Sequence, residues 1–281
     1  MSLPPEFFEL MRTAEKDPDA FSQLEKMIKT QKINPCEHSY SQNVNVTLLG
    51  RVIANNMPKL TRLFLKYSDE SKTPQNMTSP WFSLVHSGKL SDIQKMAQLS
   101  NTTINQVNSQ NETPLSLFMK VNMKEKKKNK ILRTNDIIDK KLIAFVDAGA
   151  DLNCYMFSHH LVLHMTKHFT LQHNSYHEII KWATEKGFNP NIPFAGTNNY
   201  FQHILFNPNH NTIDKIDQTI SNMLTHRDID FSYKNKSGQT VIDMLPNLPE
   251  HSKARALIEQ QYLKKTTQHS VEPALIKAAR L

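Results

Sequence analysis

The chain has 281 residues, 38% of them hydrophobic, with 34 Lys and Arg against 26 Asp and Glu, a formal charge of +8 and a mean hydropathy of −0.53. That apolar share suffices for a packed core and excludes wholesale disorder, and no apolar run approaches the roughly 18 residues of a membrane span. Six glycines are too few for the turns of a large β-sandwich, a phosphate-loop enzyme or a dinucleotide fold, which points to helices.

The basic balance permits nucleic acid, anionic lipid or an acidic protein as partner and selects none of them. Cys36 and Cys154 are too few for a disulfide framework and are expected as reduced thiols of a cytosol-like compartment. The opening Met1-Ser2-Leu3-Pro4-Pro5-Glu6-Phe7-Phe8 lacks the basic start and apolar core of a secretory signal. Any export is therefore expected by another route.

Taken in chain order, the expected elements are pairs of short helices. A first pair covers 5–35 and closes on Ile33-Asn34. A second opens at Thr47-Leu48-Leu49 and returns through Leu60, Leu63 and Phe64. The third opens at Ser79-Pro80-Trp81, turns at Ser87-Gly88-Lys89, returns through Ile93, Met96 and Ala97, and closes on Ile104-Asn105. The fourth is the clearest. It opens at Asn111-Glu112-Thr113-Pro114-Leu115, where the Thr113 hydroxyl caps a helix and Pro114 takes the first turn, in which its missing N–H costs nothing. Leu115, Phe118 and Met119 share one helical face, and Leu142, Phe145 and Val146 share another. Gly149 ends that return helix in a left-handed cap, and Asp151 and Asn153 begin a turn. The fifth pair opens at His159-His160-Leu161, returns through Ile180 and Ala183 and closes on Asn189-Pro190-Asn191. The sixth opens at Asn199-Tyr200-Phe201, returns through Ile220, Met223 and Leu224 and closes on Asp228-Ile229-Asp230. The seventh opens at Ser237-Gly238-Gln239-Thr240-Val241-Ile242.

A Thr-Pro-Leu helix, a return helix with paired apolar residues and a closing Gly-Ala-Asp-x-Asn resemble the ankyrin repeat. The third residues of the opening triplets stand at 49, 81, 115, 161, 201 and 242, so the spacings are 32, 34, 46, 40 and 41 against a family period of about 33. The resemblance implies an all-α, ankyrin-repeat solenoid of about six to seven degenerate helix-turn-helix repeats. It places a single array over 1–262, with repeats near 4–40, 45–76, 77–108, 109–154, 155–194, 195–234 and 235–262, and a tail at 263–281. Polar-faced end pairs are expected as caps.

In copies four to six the extra residues fall between the paired helices, at about 121–138, 168–176 and 206–213, and are expected to emerge on one edge as a candidate binding rim. The first insert is basic over 124–130. Lys124, Lys126, Lys127, Lys128 and Lys130 are candidate contacts to an acidic protein surface, phosphate or anionic lipid. No aromatic residue is interleaved, which disfavours a groove for single-stranded nucleic acid. Trp81 is a further candidate partner contact, because Trp is enriched at binding hot spots. Trp81 follows Pro80 at a first-helix core position and Trp182 lies on a second helix, so packing is the first expectation for both.

No cofactor is expected. The chain carries 13 His, and His160, His164 and His168 follow an i, i+4, i+8 spacing that could present imidazoles to zinc on one helical face. A site of that kind needs further ligands and second-layer acceptors. A pocket joining His164, His168 or His173 to Glu178 would mark an enzyme built on the fifth repeat. Cys36 and His38 stand two apart, a spacing that does not form a nucleophile–base dyad on regular structure, and no other catalytic signature is present.

Repeat architecture implies a protein-binding module that catalyses no reaction and acts as a monomer. The glycine-poor, Asn/Lys/Gln-rich composition resembles ankyrin-repeat effectors that intracellular bacteria such as Legionella or Coxiella inject into host cells. That resemblance implies a chain made in the bacterial cytoplasm, translocated into the host cytoplasm and bound there to a host protein, with the tail as export signal. The alternatives are an enzyme using the His-rich copy, and a binder of anionic lipid or nucleic acid acting through 124–130.

Overall fold

A computed structural model describes residues 3–41, 44–74, 77–87, 89–98, 104–126, 138–156, 159–166, 174–194, 198–206, 213–248, 250 and 252–278. Among these residues the chain is mainly helical with almost no sheet. No helix among them is long and apolar enough to cross a membrane. The chain divides into two compact units, 1–156 and 157–281, with the division between the fourth and fifth copies of the sequence pattern.

In the first unit the helices are α1 (Pro5–Thr13), α2 (Pro18–Gln31), α3 (Leu48–Ala54), α4 (Pro58–Tyr67), α5 (Pro80–Ser87), α6 (Leu90–Met96), α7 (Pro114–Lys126) and α8 (Lys140–Asp147). They form two rows. Helix α3 packs on α5 and α5 on α7, while α2, α4, α6 and α8 follow one another in the second row. A short antiparallel hairpin, β1 (Ser39–Ser41) with β2 (Val44–Thr47), leads into α3. Side-chain oxygens set the helix starts. Thr47 Oγ1 accepts from Gly50 N at 3.0 Å, Thr113 Oγ1 accepts from Ser116 N at 3.1 Å, and Asp139 Oδ1 accepts from Lys141 N and Leu142 N at 3.0 and 2.9 Å. Glu15, in the α1–α2 loop, reaches the start of α4 and accepts from Lys59 N and Leu60 N at 3.1 and 3.0 Å. Gly50 allows the α3–α5 approach, since a Cβ there would lie 3.1 Å from Ser83 Oγ and from Val46 Cγ1.

In the second unit the helices are α9 (Leu161–Thr166), α10 (Asn174–Glu185), α11 (Tyr200–Phe206), α12 (Ile213–His226), α13 (Val241–Met244) and α14 (Lys253–Ala278). Here α10 packs on α12 and α12 on α14, with α11 against α12 and α13. Pro193–Phe194 and Asn198–Asn199 pair antiparallel before α11. Asn199 and Gln202 cap α11 reciprocally, with Gln202 N donating to Asn199 Oδ1 at 2.8 Å and Asn199 N to Gln202 Oε1 at 3.3 Å. Helix α14 continues past the 262/263 boundary that the sequence pattern assigns to a tail. Lys265 Nζ donates to Ile229 O at 2.7 Å, pairs with Asp228 and lies 5.3 Å from the Phe231 ring centroid.

The turns that close the pairs share one construction. Asp69, Asp151, Asn189 and Asp230 each accept, through the side chain, the N–H of the residue two positions on. The turn at 33–36 starts from Lys32 in the left-handed region (φ 51°), and Gly149 and Gly187 hold the same place with φ of 96° and 111°. An asparagine then ties one closing turn to the next. Asn34 Nδ2 donates to Asp69 O at 2.9 Å while its Oδ1 accepts from Asp69 N at 3.0 Å. Asn105 joins Gly149 O (3.0 Å) and Asp151 N (2.8 Å), and Asn191 joins Asp228 O (2.8 Å) and Asp230 N (2.8 Å). Asn105 and Asn191 each hold one carbonyl and one N–H, while Asn34 Oδ1 also accepts from Cys36 N at 3.0 Å, so loss of Asn34 strands three backbone groups and loss of Asn105 two. Asn34→Ala is expected to cost about 2–3 kcal/mol, because Asn34 is buried, and Asn105→Ala about 1 kcal/mol, because Asn105 is exposed to water that can replace it. Urea denaturation of the two variants checks the order, and equal midpoints would contradict it.

Candidate functional site

The residues singled out in the sequence do not converge on one place. Trp81 is fully buried, with its ring 5.8 Å from Phe145, which in turn lies 5.3 Å from Phe118. This corrects the expectation that Trp81 contacts a partner. Pro80 starts α5, the following position points into the row of first helices, and the indole is core. Trp182, on α10, is half-buried.

The basic insert begins as helix rather than loop. Helix α7 runs to Lys126, so Lys124 and Lys126 lie in its last turn. Lys127, Lys128 and Lys130 lie outside the described residues, as do most of the inserts around 168–173 and 207–212. Residues 174–176, expected in the second insert, belong to α10.

The proposed imidazole face is also corrected. His160 sits in the short strand His159–His160 before α9, so it does not share a helical face with His164, which is on α9. Both are buried, at 6% and 7% exposure. His168 and His173 lie outside the described residues, and Glu178 is exposed on α10. Among the described residues no group of three His, Cys, Asp or Glu is placed to hold a metal ion. Cys36 is buried, and the Cys154 thiol is pushed up to about 11, mainly by burial. A thiol so protonated at neutral pH is a poor nucleophile.

The described surface instead offers grooves, one of them in each unit, and exposed apolar side chains, among them Val107 and Tyr155 on closing turns and Tyr262 and Leu263 on α14. In the first unit a groove of about 390 Å³ lies between α6 and α8, floored by Leu90, Ala97, Ile143 and Ala144, with Lys140 and Asp147 among its charged lining residues. The second unit has a groove of about 870 Å³ over α12, between Lys181 on α10 and Lys253 on α14, with Gln218, Ser221 and Asn222 along it. Both lie on second helices of the pairs. Val107 and Tyr155 are 51% and 53% exposed and stand two residues after Asn105 and Asn153. Sequence reasoning passed over these two residues, although their shared distance from the closing asparagines was available as a signal. An exposed apolar side chain at the same register of two closing turns can supply contact area to a partner.

No protein-family model matches the chain, and no curated protein sequence matches it.

Proposed function

We propose that the chain is a protein-binding module built as an ankyrin-type array, without a catalytic centre of its own. The observation that carries this reading is the recurrence of the asparagine clamp at 34, 105 and 191, each joining the closing turn of one helix pair to that of the next. Within each unit, clamped turns of like construction fix the backbone and leave the outward side chains free to vary. Turns of this kind suit recognition of a macromolecule better than chemistry on a small one. The partner-facing features are Val107, Tyr155 and the basic segment from Lys124 to Lys130, which favours an acidic protein surface. In the bacterial-effector reading, that partner is a host protein and the tail carries the export signal.

The test is affinity capture from host-cell lysate, followed by binding between purified components. The intact chain is compared with a Val107→Ser/Tyr155→Ser variant and with Lys126→Ala/Lys127→Ala/Lys128→Ala. A saturable protein partner weakened roughly tenfold or more by either variant supports the reading. Binding that instead follows lipid vesicles or nucleic acid with a steep salt dependence overturns it. The export signal is tested separately by truncation after Thr267 rather than after Leu263, because Lys265 holds the 228–231 turn and its removal would disturb the fold.

A further inference from the structure

The groove between α6 and α8 has helical walls, an apolar floor and a basic end. The two helices pack on each other through Ile93 and Met96 of α6 and Leu142 and Phe145 of α8, all fully buried. The groove lies on a different face. Leu90 starts α6 and Ala97 caps its end, two turns on and on the same side, while Ile143 and Ala144 share a side of α8 with Lys140 and Asp147. Leu90, Ala97, Ile143 and Ala144 are half-buried, so the fold leaves part of their apolar surface to water.

The walls decide what kind of segment fits. An α-helix keeps its interior backbone N–H and C=O groups for itself, so an extended strand would find no row of free groups to pair with. A third helix has no such need. Its side chains at i, i+3, i+4 and i+7 can enter the groove between the two helical ridges, and alanine at 97 and 144 lets it come close.

The charges give that helix a direction. Lys140 is exposed at the start of α8, and Asp147 stands seven residues on, about 10 Å along the axis. Asn122 Nδ2 donates to Asp139 Oδ2 at 2.9 Å, which sets the end of α7 beside the start of α8. The last turn of α7 holds Lys124 and Lys126, so the basic segment and Lys140 share one end of the groove. An acidic turn is attracted at that end and repelled at the end that carries Asp147.

We propose that this groove receives an amphipathic α-helix of a partner protein, with acidic residues in the turn that faces Lys140 and apolar residues over the two turns that follow. Such docking presupposes that the chain binds protein, as proposed above, and adds a defined element in a defined direction.

Fluorescence anisotropy of labelled peptides against the full chain, at about 0.15 M ionic strength, tests the proposal. The first probe is a helical peptide of about 15 residues, with two Glu in its first turn and Leu at i, i+3, i+4 and i+7 beyond it. A second has Lys in place of both Glu, and a third carries the residues of the first in scrambled order. The Glu-headed peptide is expected to bind roughly tenfold or more tightly than either control. Lys140→Glu is expected to reverse the preference between the Glu-headed and Lys-headed peptides, and Ile143→Asp to weaken the Glu-headed one roughly tenfold. If Ile143→Asp does not fold, Ala144→Gln, which covers the floor, serves with the same direction. Equal binding of the three peptides, absence of saturable binding, or Glu-headed binding unmoved by the groove variants would overturn the proposal. A captured protein weakened by Val107→Ser/Tyr155→Ser but not by Ile143→Asp would overturn the groove alone and leave protein binding standing.

Discussion

Replacing Trp81 with Ala is expected to destabilise the 1–156 unit by about 3–5 kcal/mol, the range for removing a large aromatic ring from a close-packed core. The indole is fully buried and leans on Phe145 of α8, which in turn meets Phe118 of α7, so one truncation removes a wall from the ring cluster that joins the two helices. Small side chains cannot relax into such a gap without moving helices held at their starts by Thr113 and Asp139. Trp81→Phe should cost much less, about 1–2 kcal/mol. It keeps most of the apolar volume and removes an indole N–H that finds no hydrogen-bond acceptor among the described residues. Equilibrium denaturation in urea gives both numbers. If Trp81→Ala left the midpoint in place, the ring would not be core, and a role at a binding surface would return.

The helix starts were legible in the sequence because they depend on neighbours a few positions away. The openings at Thr47, Thr113, Asn199 and Thr240 each become a cap within three residues, and the third residues of the triplets fall in the first two positions of α3, α5, α7, α9, α11 and α13. Gly149 was legible for the same reason, as a left-handed residue is needed to end α8. Trp81 was half legible: its place after Pro80 marks a first-helix core position, but only the packing of α5 between α3 and α7 decides between core and partner contact. The histidine spacing misled because a three-residue count at helical period assumes a helix, whereas the chain is extended through His160 and turns helical at Leu161. The asparagine clamps were half legible. Their positions are pair endings in the sequence pattern, but their partners lie 35 to 46 residues further on, beyond the reach of local pattern.

Asp217→Ala is expected to cost the 157–281 unit about 2–4 kcal/mol, through the start of a helix that lies far from it in sequence. Asp217 belongs to α12 and is 8% exposed, and its carboxylate organises the first turn of α14. Oδ1 accepts from the Ser252 hydroxyl at 2.6 Å and from Ala254 N at 2.9 Å, and Oδ2 accepts from Lys253 N at 3.0 Å. A helix leaves its first N–H groups without internal partners and carries a partial positive charge at that end, so a buried carboxylate there answers both needs. Alanine would strand a hydroxyl and two N–H donors where little water reaches them. Asparagine separates the two contributions. Its oxygen can still serve Ser252 and Ala254, but its NH2 would meet the Lys253 N–H donor to donor, so Asp217→Asn should fall between alanine and the parent, at about 1–2 kcal/mol. The readout is paired: the urea midpoint of the second unit, and the exchange protection of 253–260, which should fall first and furthest if the cap is what seats α14. Because α12 also packs along α10, a loss confined to 174–185 with α14 unaffected would mean that Asp217 acts through core packing and not as the cap.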